Sequence, residues 1–297
     1  MRLATKVLAA MAMLSVAATT VQADSLLNIA GVSTPVSAID ESVGNALSVN
    51  AVPLSTGSAF TLYYQAIVGN YLDASSGVIL GTGLNSTYEL TVVGAFGEKV
   101  PFASSTNASF AFDPTNTTNF FKFYKDTAMN ANNLAGTGFT DGKLVLSGHV
   151  TSSLGSITVD PNNIGLLDQH VNDDWGGRLS VAAIGGTSLT VYVDSYDSSF
   201  FLTPPDTLLV GLDFTTNNAL SFKGVDPSRL FSTTTDGITY TAITPNIGTV
   251  NGASGPDILF QSDASTTPTI TPEPGTMVLF GAGLFGLSIF ARRRKNN

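Results

Sequence analysis

Two histidines, His149 and His170, and no cysteine set the limits of any chemistry in this chain. Without thiolates there is no disulfide, no thiolate zinc site, no iron–sulfur ligation and no cysteine nucleophile. His149 sits in a strand-like run. No Gly-x-Ser-x-Gly elbow presents a serine to it, so a Ser–His–Asp triad is not expected. His170 lies in Asp168-Gln169-His170-Val171-Asn172-Asp173-Asp174-Trp175-Gly176-Gly177, a polar patch around the only tryptophan. An indole among acids and amides can grip a sugar by stacking plus hydrogen bonds. Trp175, Asp173 and Asp174 are therefore the candidate glycan contacts; a loop with its tryptophan tucked into the core is the alternative. Asp194, Asp197 and Asp206 offer hard oxygens to calcium, but their spacing matches no calcium loop. A glycosidase needs two carboxylates about 5–10 Å apart, a distance that a sequence does not give. Gly281-Ala282-Gly283-Leu284-Phe285-Gly286 matches the dinucleotide fingerprint by letter only, since no strand precedes it and no acid follows. No catalytic residue, metal or cofactor is expected.

The 297 residues have room for one or two domains and a full-sized core. Charged residues make up only 12%, about half the usual globular share, against 43% hydrophobic. That is neither a charged disordered chain nor a coiled coil. The net charge is −9, and six of the 13 basic residues stand at the extreme ends: Arg2, Lys6, Arg292, Arg293, Arg294 and Lys295. The stretch between them is therefore more acidic than the whole. Such a body has no electrostatic footprint for nucleic acid.

The ends read as addresses. Arg2 and Lys6 precede an apolar run over residues 7–18, and Val21-Gln22-Ala23 is a small-residue cleavage site. Residues 1–23 are thus expected to be a signal peptide, cut by signal peptidase between Ala23 and Asp24. At the other end a Thr/Pro-rich spacer over 266–271 leads to Pro272-Glu273-Pro274, an apolar run over 277–291 and the four terminal bases. As a helix that run spans about 22 Å, short of a ~30 Å hydrocarbon core, and snorkelling arginine stems cover part of the deficit. The basic cluster Arg292, Arg293, Arg294 and Lys295 should orient the helix with its end on the cytoplasmic side.

This order of Pro-Glu-Pro, short Gly-rich apolar helix and terminal basic cluster resembles the PEP-CTERM sorting signal. The resemblance implies recognition by an exosortase, a membrane cysteine protease of Gram-negative bacteria that also make exopolysaccharide. It further implies cleavage near Pro272, Glu273 and Pro274, and transfer to the cell surface or matrix. Three body segments resemble the flocculation-associated PEP-CTERM proteins: Ala59-Phe60-Thr61-Leu62-Tyr63-Tyr64-Gln65-Ala66, Tyr88-Glu89-Leu90-Thr91-Val92-Val93-Gly94-Ala95-Phe96-Gly97-Glu98, and the stretch 132–142. They carry no catalytic motif. They imply a role in floc or biofilm formation.

Stepping along residues 24–265 gives strand after strand. Runs rich in β-branched and aromatic residues lie at 60–68, 88–96, 143–150, 156–159, 188–193, 207–214 and 237–243. Asp141-Gly142 and Asp236-Gly237 mark turns. Residues 117–134 are the one helical candidate, with Phe120, Phe121 and Tyr124 on one side. Phe102, Phe110, Phe112, Phe120, Phe121 and Phe123 read as core, with a binding platform as the alternative. The pattern predicts an all-β, β-sandwich-like single large domain between a cleaved signal peptide and a short C-terminal transmembrane helix. The favoured function is that of an exported surface or matrix protein acting with extracellular polysaccharide. A discrete carbohydrate-binding adhesin and a secreted hydrolase are the alternatives.

Overall fold

The structure is a computed structural model that describes residues 24–133, 136–167, 177–216, 234–235, 238–239, 250–252 and 254–270. The expected signal peptide, the 277–291 helix and the Asp236-Gly237 turn lie outside those residues. Within them the regular structure is all strand, without a helix. Two short strands, β1 (Ser25–Ile29) and β2 (Val32–Val36), form a hairpin. The other main strands are β3 (Ala38–Val49), β4 (Ala59–Leu72), β5 (Glu89–Ala103), β6 (Asn107–Phe112), β7 (Phe120–Asp126), β8 (Lys143–Leu166), β9 (Leu179–Tyr196), β10 (Thr207–Thr215) and β13 (Ile258–Thr269). Between the last two lie β11 (Thr234–Thr235) and β12 (Ile238–Thr239), paired with each other.

The nine-stranded sheet is antiparallel throughout and its pairings close into a ring. Neighbours in sequence are neighbours in space from β3 to β10, and β13 then pairs with both β10 and β3. The strands β6 and β7 lie end to end in one slot. β7 pairs with the first half of β5 and the start of β8, while β6 pairs with their later parts. The sandwich-like architecture thus takes the form of one sheet wrapped on itself, an up-and-down barrel, from which β8 and β9 extend beyond Val159 as a two-stranded ribbon.

Alternation decides which side chains face inward. On β10, Leu208, Val210, Leu212 and Phe214 are buried while Leu209, Gly211 and Asp213 face solvent. On β4, Phe60, Leu62, Tyr64, Ala66 and Val68 enter the same core. Phe60 and Phe110 meet edge to face at 5.3 Å, and Phe214 lies 5.3 Å from Phe260. Truncating one of these buried rings to alanine costs about 3–5 kcal/mol. Of the phenylalanines expected in the core, Phe110, Phe121 and Phe123 are buried and Phe102 is exposed. The hairpin β1–β2 and the 197–206 loop plug one end, where Leu27, Val36, Phe200 and Phe201 join the core.

Three expectations change. Residues 117–134 hold strand β7, not a helix. Both faces of that strand are covered: Phe121 and Phe123 point into the barrel core, while Phe120 and Tyr124 join an outer cluster with Val93 and Phe139. Aromatics on both sides satisfy a strand buried on two faces as well as they mimic a helical stripe. The runs at 143–150 and 156–159 are one strand, β8, because bulges near Thr151 absorb the mismatch with β9. Thr266 to Thr269 belong to β13 and not to a spacer.

Two glutamates point into this interior. Glu41, on β3, accepts a 2.6 Å hydrogen bond from Thr266 Oγ1 across the closing seam. Burial pushes its carboxyl up to about 8. Glu98, on β5, accepts a hydrogen bond from Thr187 Oγ1 of β9 across the interior, and burial raises it to about 7. The seam beside Glu41 is irregular, with register shifts on both partners of β3. At Gly44 a Cβ would stand 2.2 Å from the Gln65 carbonyl, so only glycine fits this bulge.

A carboxyl whose folded value is raised stabilises the fold fully below its unfolded value, near 4.5, and loses that contribution as pH climbs to the folded value. The barrel should therefore be most stable near pH 5 and lose on the order of a few kcal/mol by pH 8.5. Glu41→Gln should keep the Thr266 bond and flatten this slope by about half, Glu98 carrying the rest. Thermal melts across that range check it; an unchanged slope in Glu41→Gln contradicts it.

Candidate functional site

Two regions carry the functional argument: the rim from which the chain's ends depart, and the outer wall. At the rim, β13 runs to Thr269. The Thr269 hydroxyl donates to the Thr207 carbonyl at 3.1 Å and contacts the Thr207 hydroxyl, and the Asp206 N–H donates to the Thr269 carbonyl. Pairing with β3 stops at Thr266, so the last three strand residues are held by β10 alone. Ile270 is then the only described residue beyond the strand. Asp24 lies at the same rim. It accepts a hydrogen bond from the Ser37 hydroxyl and shares a small concavity with Leu72, Asp73 and Thr267.

The outer wall is built by β8, β9, β10 and β13. Its register sets side chains in rows: Ser152, Thr190, Leu209 and Thr267; then Leu154, Ser188, Gly211 and Ser265; then Ser156, Gly186, Asp213 and Asp263. Small residues in the middle leave two shallow hollows, of about 580 and 430 Å³, that share Leu154, Ser188 and Gly211. Leu154 stands 74% exposed at their edge. A Cβ added at Gly211 would meet nothing within 4 Å. Asp213 and Asp263 face each other across the strands, and burial first, then Asp40 and Asp213, raises Asp263 from its ordinary value. The wall offers rows of hydroxyls, apolar contacts and room. It groups no nucleophile with a base.

The residues singled out by sequence fare differently. Trp175, Asp173, Asp174 and His170 lie outside the described residues, as do Pro272, Glu273, Pro274, Arg292, Arg293, Arg294, Lys295 and Ala23. The flanking Leu167 packs with Leu47 and Leu259, at the end of the barrel opposite Thr269. His149 Nδ1 sits 2.9 Å from Asp194 Oδ1, both groups partly exposed, with the Tyr192 ring 5.4 Å away. Asp197 is spent on structure: hydrogen bonds from Lys143 and Ser199 hold its carboxyl down at about 2. Among the described residues no three acids and histidines converge as a metal would require.

The stretch 132–142 is architectural where it is described. Phe139 is buried over Val93 and Tyr124, and its carbonyl accepts from the Thr91 hydroxyl at 2.8 Å. The Glu89 carboxylate clips the loop by accepting from the Asn130 and Ala131 N–H groups. Gly138, at φ +79°, lies against the Asn130 backbone where no side chain fits. Segments 59–66 and 88–98 are strands β4 and β5, whose inward residues build the core. Sequence reasoning did not find the wall. Its only signal is that Ser152, Ser156, Ser188 and Thr190 occupy the outward positions of long alternating strands.

With β13 placed, the tail can be set against known proteins. Residues 271–295 match the PEP-CTERM protein-sorting motif. The match begins one residue past Ile270, so the sorting signal is joined to the barrel's closing strand without an intervening linker. The PEP-CTERM motif implies an exported surface protein processed at its C-terminus by an exosortase, a membrane protein. No curated protein and no solved structure matches the chain.

Because the motif lies beyond the last strand, removing it should leave the barrel intact. A chain of residues 24–270 should melt cooperatively with a β-type circular dichroism spectrum. A chain ending at Ser262 should fail, since it removes the β13 residues that pair with Thr207–Asp213 of β10 and with Ile39–Glu41 of β3; size exclusion should show it aggregated. Equal folding of the two would contradict the closing role of β13.

Proposed function

We propose that this protein is a non-catalytic matrix component that contributes to floc or biofilm formation by holding extracellular polysaccharide on its barrel wall. Signal peptidase would free Asp24 in a Gram-negative cell. An exosortase-like protease would then act near Pro272, Glu273 and Pro274 and release the body to the outside. The observation that carries the reading is the wall of β8, β9, β10 and β13, where register lines up hydroxyls of Ser152, Thr190, Thr267, Ser188, Ser265 and Ser156 over a shallow floor. A polysaccharide presents hydroxyls at a regular repeat. Weak hydrogen bonds from one such surface add through multivalency without any deep pocket. Exposed Leu154 and Leu209 supply apolar contacts for the C–H faces of sugar rings. The resemblance of segments 59–66, 88–98 and 132–142 to flocculation-associated proteins points the same way.

The test fills the trough without touching the core. Ser188→Glu with Gly211→Glu places two carboxylates in it, at one outward position and at one where a side chain meets open space. Wild-type protein should co-sediment with exopolysaccharide from its own cells, and the double variant should not, at an unchanged melting temperature. Equal co-sedimentation would sink the wall as the binding surface.

A further inference from the structure

We propose that the rim carrying Asp24 and Thr269 docks on a zwitterionic phospholipid surface before the tail is processed, through the exposed side chains of Leu26, Val78, Leu80 and Leu202. Both apolar segments of the sequence depart from this rim. Asp24 directly follows residues 1–23, whose apolar run ends at residue 18, and Thr269 precedes an apolar run that starts at Met277. Even fully extended, the chain from Thr269 to Met277 reaches at most ~28 Å. A rim tethered that closely meets the bilayer at an effective concentration in the mM range, so weak contacts suffice to seat it.

The rim is built for contact with an apolar boundary. The β4–β5 connection folds back at Leu72, where Val78 bridges to it, and carries Leu80 outward at 86% exposure. The Leu202 N–H donates to the Leu26 carbonyl at 2.7 Å, so these two exposed leucines belong to one ledge beside Asp24. Ser37 connects ledge and connection, since its N–H donates to Leu72 and its hydroxyl to Asp24. The charged groups at this rim are mostly acidic: Asp24, Asp73, Glu89, Asp126 and Asp206 outnumber Lys125 and Lys143, the latter paired with Asp197, so anionic lipid would be repelled. That selects a zwitterionic surface. The proposal rests on residues 277–291 entering the membrane, and its test separates the two claims.

The absence of native cysteine allows single labels. Full-length Leu80→Cys, Leu202→Cys and Ile184→Cys chains, each carrying an environment-sensitive fluorophore, would be reconstituted into phosphatidylcholine vesicles with a lipid-borne quencher. Ile184 is the control, 71% exposed and in register with Thr215 toward the other end of the barrel. Flotation reports insertion of the tail, and quenching reports docking. Labels at 80 and 202 should be quenched roughly twofold or more, as interfacial burial of ~5–10 Å requires, and the label at 184 should not. Chains that float with all three labels quenched alike, or none, overturn the docking and leave the tail reading standing. Chains that do not float overturn both.

Discussion

Closure of the sheet by β13 is the constraint on which the rest of the molecule depends. A row of unpaired N–H and C=O groups on β3 or β10 would be an open invitation to another chain. β13 satisfies both edges at once, over Thr207–Thr215 on one side and up to Thr266 on the other. The same strand brings the chain to the sorting motif with only Ile270 in between. The body is thus complete only when the residues immediately before the motif are in place. The buried Glu41–Thr266 hydrogen bond lies on this seam, and burial raises the Glu41 carboxyl.

The barrel divides its labour between its two faces. Aromatic rings fill the interior, and outer clusters around Tyr124 and Leu259 are sealed by neighbouring segments. What is left open is a wall of serine, threonine and glycine on β8, β9, β10 and β13. Such a surface forms no strong single contact. On the proposed reading it serves repeated weak contact along a polymer, and the acidic surround adds self-repulsion.

Much of this was legible in the residues. Alternation in Leu189-Thr190-Val191-Tyr192-Val193 marks β9 with its inner and outer faces, and the three-part tail marks the sorting signal. The failures have physical causes. Phe120, Phe121 and Tyr124 imitate a helical stripe because β7 is buried on both faces, its outer side under Val93 and the loop that follows the strand. Thr266-Thr267-Pro268-Thr269 has the composition of a linker, yet threonine is β-branched and favours strands. Proline is tolerated there because the β3 side of the strand has already lost its partner at Pro268. The wall was hidden because register across four strands, and not any local motif, assembles its rows.

Amide hydrogen exchange along β13 tests the central claim most directly. In the intact chain, amides from Ala264 to Thr266 should exchange as slowly as those at the centre of β4 and β5, because opening the seam means opening the barrel. Those of Thr267 and Thr269, held by β10 alone, should be protected but faster. Exchange of the whole strand at the rate of an unpaired tail, while β4 and β5 stay protected, would show that β13 does not close the sheet and would contradict this account.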